Sequence, residues 1–492
     1  MSVHVVVVGG GITGLAAAHA LASDPRARDL GIRCTLIEQE PRLGGKLVTE
    51  RIGGCLVEAG PDSFLATKPW AANLCRALGL GDRLIGTLPG QPVYVAFRGE
   101  MHPFPEGLAL GVPSRIAPMV RTRLLSPLEK LRVGCDLVLP RRREASDETM
   151  GAFLRRRMGD AVVARLAGPM LAGIYAGDAY ALSLRATFPQ LLEWEAGHRS
   201  LVLAAMARRK LMAAAATGSP SPMFLSLTGG VGELVEALVG ALGGPRDNGN
   251  TRLETGRSVV RLVPVVESGR TSYALHLDDG ETIVADGVVL TAPAFSSAAL
   301  LGPVAPRAAS LLGTIPYVST AAVTLAFRRR EVRHPLVGHG FVVARDEPLE
   351  ITACTWVSSK WPRRAPPDLV LLRCYLGAAG REAVLQEDDD RLVSLVRRDL
   401  RSTLGLDADP VFSRVARWPN SMPQYLTGHL DRLEAIGTEL RALPNLALAG
   451  AGYGGTGIPD CIRQGAEAVG KILASLTVRP GTRTPGVGYS VT

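Results

Sequence analysis

Val3-His4-Val5-Val6-Val7-Val8-Gly9-Gly10-Gly11-Ile12-Thr13-Gly14 decides how the rest of the chain is read. The run Val3 to Val8 is β-branched and almost uninterrupted, the pattern of a central parallel strand buried on both faces. The glycines lead into a helical pattern with Leu15, Ala18 and Leu21 on one face. In the spacing Gly9-x-Gly11-x-x-Gly14, the first glycine permits a tight turn. The second lets backbone approach a pyrophosphate, and the third lets helix and strand pack closely. The helix start that follows presents free N–H groups and a positive dipole end to an anion. A polar loop from 23 to 31 then gives way to a second strand, Ile32 to Ile37, which ends at Glu38. A carboxylate there suits ribose hydroxyls and repels a 2′-phosphate, so the site reads as a dinucleotide site and NADP is disfavoured.

Two further glycine segments narrow the cofactor. Arg42-Leu43-Gly44-Gly45-Lys46 follows the ribose-binding strand and places a second diglycine beside cations. NAD dehydrogenases do not need this element, and it resembles the segment after the second strand in the amine oxidase and phytoene desaturase superfamily of flavoproteins. Near the other end, Gly450-Ala451-Gly452-Tyr453-Gly454-Gly455-Thr456-Gly457-Ile458-Pro459-Asp460 opens the last helix, with Pro459 and Asp460 suited to a first turn. A helix N-terminus aimed at a flavin ring stabilises the negative charge of its reduced state. Glycine motifs at both ends imply one FAD domain assembled from distant segments, with a substrate domain inserted between them.

The remaining chain fits that scheme and excludes others. At 492 residues there is room for two or three domains, and 47% hydrophobic with 21% charged residues is ordinary for a globular protein. Tyr273, Leu275 and Leu277 alternate up to the turn Asp279-Gly280, and Ile283 resumes the alternation toward Val288-Val289-Leu290, a β-meander. From 105 to 200 the pattern is helical, and from 315 to 380 strands dominate. An amphipathic helix spans 388 to 405, with Leu392, Leu395, Val396 and Leu400 on one side. The last helix turns Ile462, Ala466, Val469 and Leu473 inward, and residues 213–222 read as a connector. The net charge of +9 comes without a long basic tract or interleaved aromatics, so nucleic acid is not expected. Seven cysteines lack CxxC spacing, and eight histidines form no HExxH or HxH group, which disfavours disulfides and a metal site and suits a reducing cytoplasm. The uncharged stretch between Asp286 and Arg307 is broken by prolines and Gly302 and reads as strand, loop and helix start rather than a membrane span. No serine elbow or paired-carboxylate spacing stands out, so catalysis is expected to rest on the flavin.

The chain resembles the oxygen-dependent protoporphyrinogen and coproporphyrinogen III oxidase family, most closely its bacterial coproporphyrinogen III branch. The resemblance runs from about residue 3 to 476. Besides the glycine loops, it rests on Glu58-Ala59-Gly60-Pro61-Asp62-Ser63-Phe64, Gly173-Ile174-Tyr175-Ala176-Gly177-Asp178 and His198-Arg199-Ser200-Leu201. It continues through Ile351-Thr352-Ala353-Cys354-Thr355-Trp356, Arg417-Trp418 and Ser421-Met422-Pro423-Gln424-Tyr425. The segments from Gly173 and from Met422 are the most specific. The resemblance implies flavin contacts from Gly9, Gly10, Gly11, Ile12, Thr13, Gly14, Glu38, Gln39, Lys46, Gly60, Pro61, Asp62, Ser63, Val259, Trp418, Gly455, Thr456 and Gly457. It implies Lys68 at a substrate propionate, with Ile174 and Tyr375 as pocket neighbours. The implied reaction is hydride transfer from a meso carbon to the flavin in three two-electron rounds, with oxygen as final acceptor and hydrogen peroxide as by-product. The basic region from 110 to 145 corresponds to a membrane-attachment region in membrane-bound relatives. A solvated face is expected here, with membrane contact at most peripheral.

The expected fold is therefore α/β: a discontinuous Rossmann-type FAD-binding domain (1–90, 223–300 and 436–478), a mixed α+β substrate domain (91–108, 196–222 and 301–435) and an inserted helical domain (109–195). A disordered tail is expected over 479–492. The expected partners are coproporphyrinogen III or protoporphyrinogen IX, oxygen, and a ferrochelatase that receives the product. An amine oxidase, a carotenoid desaturase and a non-enzymic carrier of the GDP-dissociation-inhibitor type share parts of the pattern. Flavin absorbance of the purified protein separates the carrier from the enzymes.

Overall fold

Val5, Val6 and Val7 have no exposed surface, and the strand they form, His4–Val8, is the middle of a five-stranded parallel sheet. It pairs on one side with Arg33–Glu38 and on the other with Gly287–Leu290. Thr251–Thr255 and Leu446–Leu448 complete the edges. The chain thus steps outward to both sides of its first strand, which creates a crevice at the carboxyl ends of the strands, where such sheets bind ligands. The computed structural model describes residues 3–109, 111–142, 146–215, 222–243 and 250–477. The expected tail and most of the connector 213–222 lie outside them.

Helices Ile12–Ser23, Gly232–Leu242 and Ile458–Thr477 cover one face of this sheet. The antiparallel meander Val259–Glu267, Arg270–Leu277 and Thr282–Ala285 covers the other, as the alternation around Asp279-Gly280 predicts. The uncharged stretch from Asp286 becomes the buried strand Gly287–Leu290, a loop and the helix Ala294–Leu301. In the last helix Ile462, Val469 and Leu473 are buried, but Ala466 is exposed; Gly465 and Ala468 face inward instead. Gly465 is required there, because a Cβ would lie 2.4 Å from the Thr13 carbonyl oxygen of the first helix.

A seven-stranded sheet holds the middle of the chain, in the order Phe412–Pro423, Tyr317–Arg328, Leu369–Leu376, Ala353–Trp356, Gly340–Val343, Val93–Phe97 and Glu100–Pro103. The amphipathic helix Asp389–Leu404 closes it, with Leu392, Val396 and Leu400 in the core between them. A separate helical core is built from residues between Val112 and Ala205, so the helix Leu201–Ala215 packs with the helices rather than with the seven-stranded sheet. Among the described residues no helix is long and apolar enough to cross a membrane.

Candidate functional site: a glycine-lined cradle between two sheets

The first glycine loop closes on itself. Gly9 N–H donates to the Ile37 carbonyl at 2.8 Å, and Gly10 N–H donates to Glu38 Oε2 at 2.6 Å. The other oxygen of Glu38 accepts from Glu40 N–H at 2.9 Å, so backbone donors orient this carboxylate at the end of its strand. Gln39 beside it is exposed. A Cβ on Gly14 would lie 1.8 Å from the Gly9 carbonyl oxygen, a clash with backbone. A Cβ on Gly11 would meet nothing within 4 Å. Gly11 is also the N-cap of Ile12–Ser23 and supplies no side chain to its free N–H groups. Open space over an uncapped helix N-terminus fits a diphosphate. Ile12 and Thr13 form the buried first turn behind it.

The second diglycine packs against the first glycine loop. Gly44 N–H donates to the Gly10 carbonyl at 2.8 Å, and a Cβ on Gly45 would lie 3.1 Å from Gly11 Cα. Gly44 takes a φ of +102° and abuts Val235, where a side chain has no room. The diglycine therefore approaches the first loop and a covering helix, and it supports the cradle from behind. Lys46, just beyond it, donates from Nζ to the Ser421 carbonyl at 2.8 Å, and burial lowers its pKa.

Facing the loop is the turn Ala59–Ser63. A Cβ on Gly60 would lie 1.7 Å from the Lys46 carbonyl oxygen, so only glycine fits. Trp418 Nε1 donates to the Ala59 carbonyl at 2.8 Å, and an Arg373 nitrogen donates to the Gly60 carbonyl. Pro61 and Ser63 are half-buried, and Ser63 Oγ donates to Asp62 at 2.6 Å. Asp62 also receives Lys360 Nζ at 3.0 Å and Trp361 Nε1 at 2.9 Å. Burial alone would raise its pKa, but Lys360 and Arg373 outweigh that and hold it well below the usual carboxylate range.

The C-terminal glycine segment forms the third wall. Gly455 N–H donates to the Tyr425 hydroxyl at 2.9 Å, which in turn donates to the Ala451 carbonyl at 2.5 Å. Thr456 and Gly457 are half-buried and lead into the first turn of the last helix. There Asp460 pairs with Lys68 Nζ at 2.8 and 2.6 Å. Lys68 is thus engaged by a carboxylate of the chain itself, a partner its surface position did not suggest. Ile174 is 44% exposed. Tyr375 is half-buried, with its hydroxyl 3.3 Å from Thr355 Oγ1. Val259 lies apart from these at the start of the meander, two residues after Arg257, whose N–H donates to the Glu38 carbonyl at 3.1 Å.

One strand end joins these parts. Trp418 holds Ala59, the Ser421 carbonyl receives Lys46, and Tyr425 grips the C-terminal loop. Gln424 Nε2 donates to the Tyr175 carbonyl at 2.8 Å, which brings the two most specific segments of the sequence into contact. The model for flavin-containing amine oxidoreductases matches residues 12–473. The chain belongs to this family. FAD is its cofactor, and the cradle described above is of the kind that holds it. Within the family the chain is 40% identical to the coproporphyrinogen III oxidase of Bacillus subtilis, over 96% of its own length and 98% of that protein's. It is 37% identical to the enzyme of that name from Propionibacterium freudenreichii, over 97% and 92%. Protoporphyrinogen oxidase 1 of Arabidopsis thaliana matches at 30% identity over 93% and 85%. A solved structure from Exiguobacterium sp. 255-15, provisionally assigned as a protoporphyrinogen oxidase, superposes with a TM-score of 0.83 at 34% identity, covering 96% of this chain and 99% of that one. Cyclohexylamine oxidase from Brevibacterium oxydans shares the fold, with a TM-score of 0.66 at 16% identity, covering 97% and 100%.

Several residues of the site escaped the sequence reading. Arg373 lies in one strand, and Lys360 and Trp361 end a short helix; none of the three has motif spacing, and the pairing of Asp460 with Lys68 was equally unmarked. Arg373 did leave a signal: it is a lone charge inside the apolar strand Leu369–Leu376.

Proposed function

We propose that this chain oxidises coproporphyrinogen III to coproporphyrin III, with FAD as the immediate acceptor and molecular oxygen as the final one. The contact of Gln424 with the Tyr175 carbonyl carries the reading, because it joins the two segments that separate porphyrinogen oxidases from amine oxidases at the edge of the cradle. Bound FAD supplies a two-electron acceptor that oxygen regenerates, with hydrogen peroxide as the by-product. The chain's residues bind and orient. The glycine loop would hold the diphosphate, Glu38 and Gln39 the ribose, and Val259 the adenine end. Lys46, Gly60 to Ser63, Trp418 and Gly455 to Gly457 would surround the remainder. Ile174 and Tyr375 would line the substrate side, and Lys68 would meet a propionate while Asp460 fixes its direction. Substrate aromatisation supplies the driving force, which fits the lack of a general-base arrangement in the sequence.

The reaction divides among a discontinuous FAD domain, a substrate domain and a helical domain, with Leu201–Ala215 assigned to the helices on which it packs. A cytoplasmic location and product transfer to a ferrochelatase complete the proposal. Membrane contact, if made, is peripheral. The helices Ile116–Arg121 and Pro127–Gly134 expose Ile116, Val120, Leu128 and Leu131 beside Arg121 and Arg132. Porphyrin fluorescence under air, with coproporphyrinogen III and protoporphyrinogen IX compared at equal concentration, tests the substrate. Coproporphyrin should form faster; faster protoporphyrin formation assigns the chain to the other substrate.

A further inference from the structure

Behind the turn Ala59–Ser63 lies a buried polar pocket lined by Glu58, Asp62, Arg364 and Arg373 among apolar side chains. Its carboxylates are already served. Glu58 receives Thr49 Oγ1 at 2.7 Å and Val231 N–H at 2.9 Å, with Arg364 3.9 Å away. Asp62 receives Lys360, Trp361 and Ser63. Arg373 is 5% exposed and makes no ion pair within 4.0 Å with a described residue. Its hydrogen bond goes to the Gly60 carbonyl, and Nε and Nη1 have no partner among the described residues. An arginine buried with Asp62 and Glu58 near enough to feel its charge, but with neither within ion-pair distance, costs stability, and a methionine of similar length would fill the strand more cheaply. Two residues along the same strand face lies Tyr375, and the Arg373 guanidinium sits over its ring, 4.9 Å from the centroid.

We propose that Arg373 is a positioning residue: it fixes the Gly60 carbonyl, and with it the turn Gly60–Ser63, against the flavin, and through Tyr375 it ties that turn to the substrate wall. The proposal rests on the reading that Gly60 to Ser63 face the flavin. Only glycine fits at position 60, because a Cβ there would meet the Lys46 carbonyl, and one directed, charge-assisted hydrogen bond from Arg373 holds the carbonyl of this bare backbone. Lys360 and Trp361 act on the same turn through Asp62 and leave the Gly60 carbonyl to Arg373.

The test combines amide exchange with flavin measurements on the full chain. Addition of FAD to the stripped protein should slow exchange at Asp62 and Ser63. If FAD leaves those amides unchanged, the flavin-contact reading fails, whatever Arg373 does. Arg373→Met should weaken FAD binding by about tenfold to a hundredfold, the loss of one hydrogen bond from a charged donor. It should also shift the visible band and midpoint potential of the bound flavin, which a loss of general stability would not do. Arg373→Lys, which keeps the charge, should restore part of each. An Arg373→Met protein that folds and retains wild-type affinity and flavin spectrum sinks the proposal.

Discussion

Gly11 and Gly14 sit three residues apart in one motif, yet the structure gives them opposite physical roles. A methyl group at Gly14 would overlap the Gly9 carbonyl, whereas one at Gly11 would meet only the space above the helix start. Gly11→Ala should therefore leave the chemical stability of the FAD-free protein near that of the parent, since its φ of −68° suits alanine. It should still weaken FAD binding by about 2 kcal/mol or more, roughly thirtyfold. Gly14→Ala should cost about 1–3 kcal/mol of folding stability before any cofactor is added. Urea unfolding of both stripped variants, followed by FAD titration, separates the two. Equal effects on stability would mean that the open space at Gly11 is not where the cofactor lies. The sequence already assigned Gly11 to close backbone approach and Gly14 to packing, but spacing could not say which atoms Gly14 packs on. The same limit applied to Lys68: it and Asp460 were each visible in their own segments, while their pairing across 392 residues was not.

Elements were legible where a period ran long enough. The buried valine strand, the meander around Asp279-Gly280 and the helix carrying Leu392, Leu395, Val396 and Leu400 stand where the pattern puts them. The strand end from Trp418 to Tyr425 was legible only as a family segment. Its work is done by hydrogen bonds from side chains and carbonyls to four distant stretches, and no local period records such contacts. Tyr425 shows what this element contributes. Its hydroxyl joins Ala451 and Gly455, two positions of a glycine-rich loop that has few side chains of its own to hold it. Tyr425→Phe keeps the ring packed against Tyr175 and His429 and removes only that tie. It should cost about 1–3 kcal/mol, because a carbonyl and an N–H in a half-buried loop both lose their partner. FAD should also leave faster. Stopped-flow release of FAD, monitored by flavin fluorescence, would show no change if the loop were held by other contacts.

At the scale of the whole molecule, hydrogen bonds between distant stretches assemble the candidate site, and acid should loosen them. His429 has no exposed surface and stacks on Tyr425, with ring centroids 4.2 Å apart. Burial pushes its pKa down to about 4, with Arg432 acting in the same direction and the Tyr453 backbone and the charge of Asp147 acting against it. The unfolded chain takes up this proton near pH 6.5, which the folded chain refuses until about pH 4. The stability associated with neutral His429 is therefore complete above pH 6.5 and is lost as the pH falls toward 4, by a total on the order of 3 kcal/mol. Asp62 acts over a lower window. Its depressed pKa adds stability that is complete above the usual carboxylate range and lost only as the pH falls below it. His429→Phe keeps a ring on Tyr425 but cannot titrate. Urea unfolding at pH 7.5 and pH 4.5 should show a difference smaller by about 2 kcal/mol in this variant than in the parent. Because His429 lies next to the residue that grips the C-terminal loop, FAD release from the parent should accelerate over the same window, and the variant should lose that acceleration. Parallel pH profiles of unfolding and FAD release in both proteins decide the matter: if the variant keeps the parent's dependence, acid acts on the site through another group.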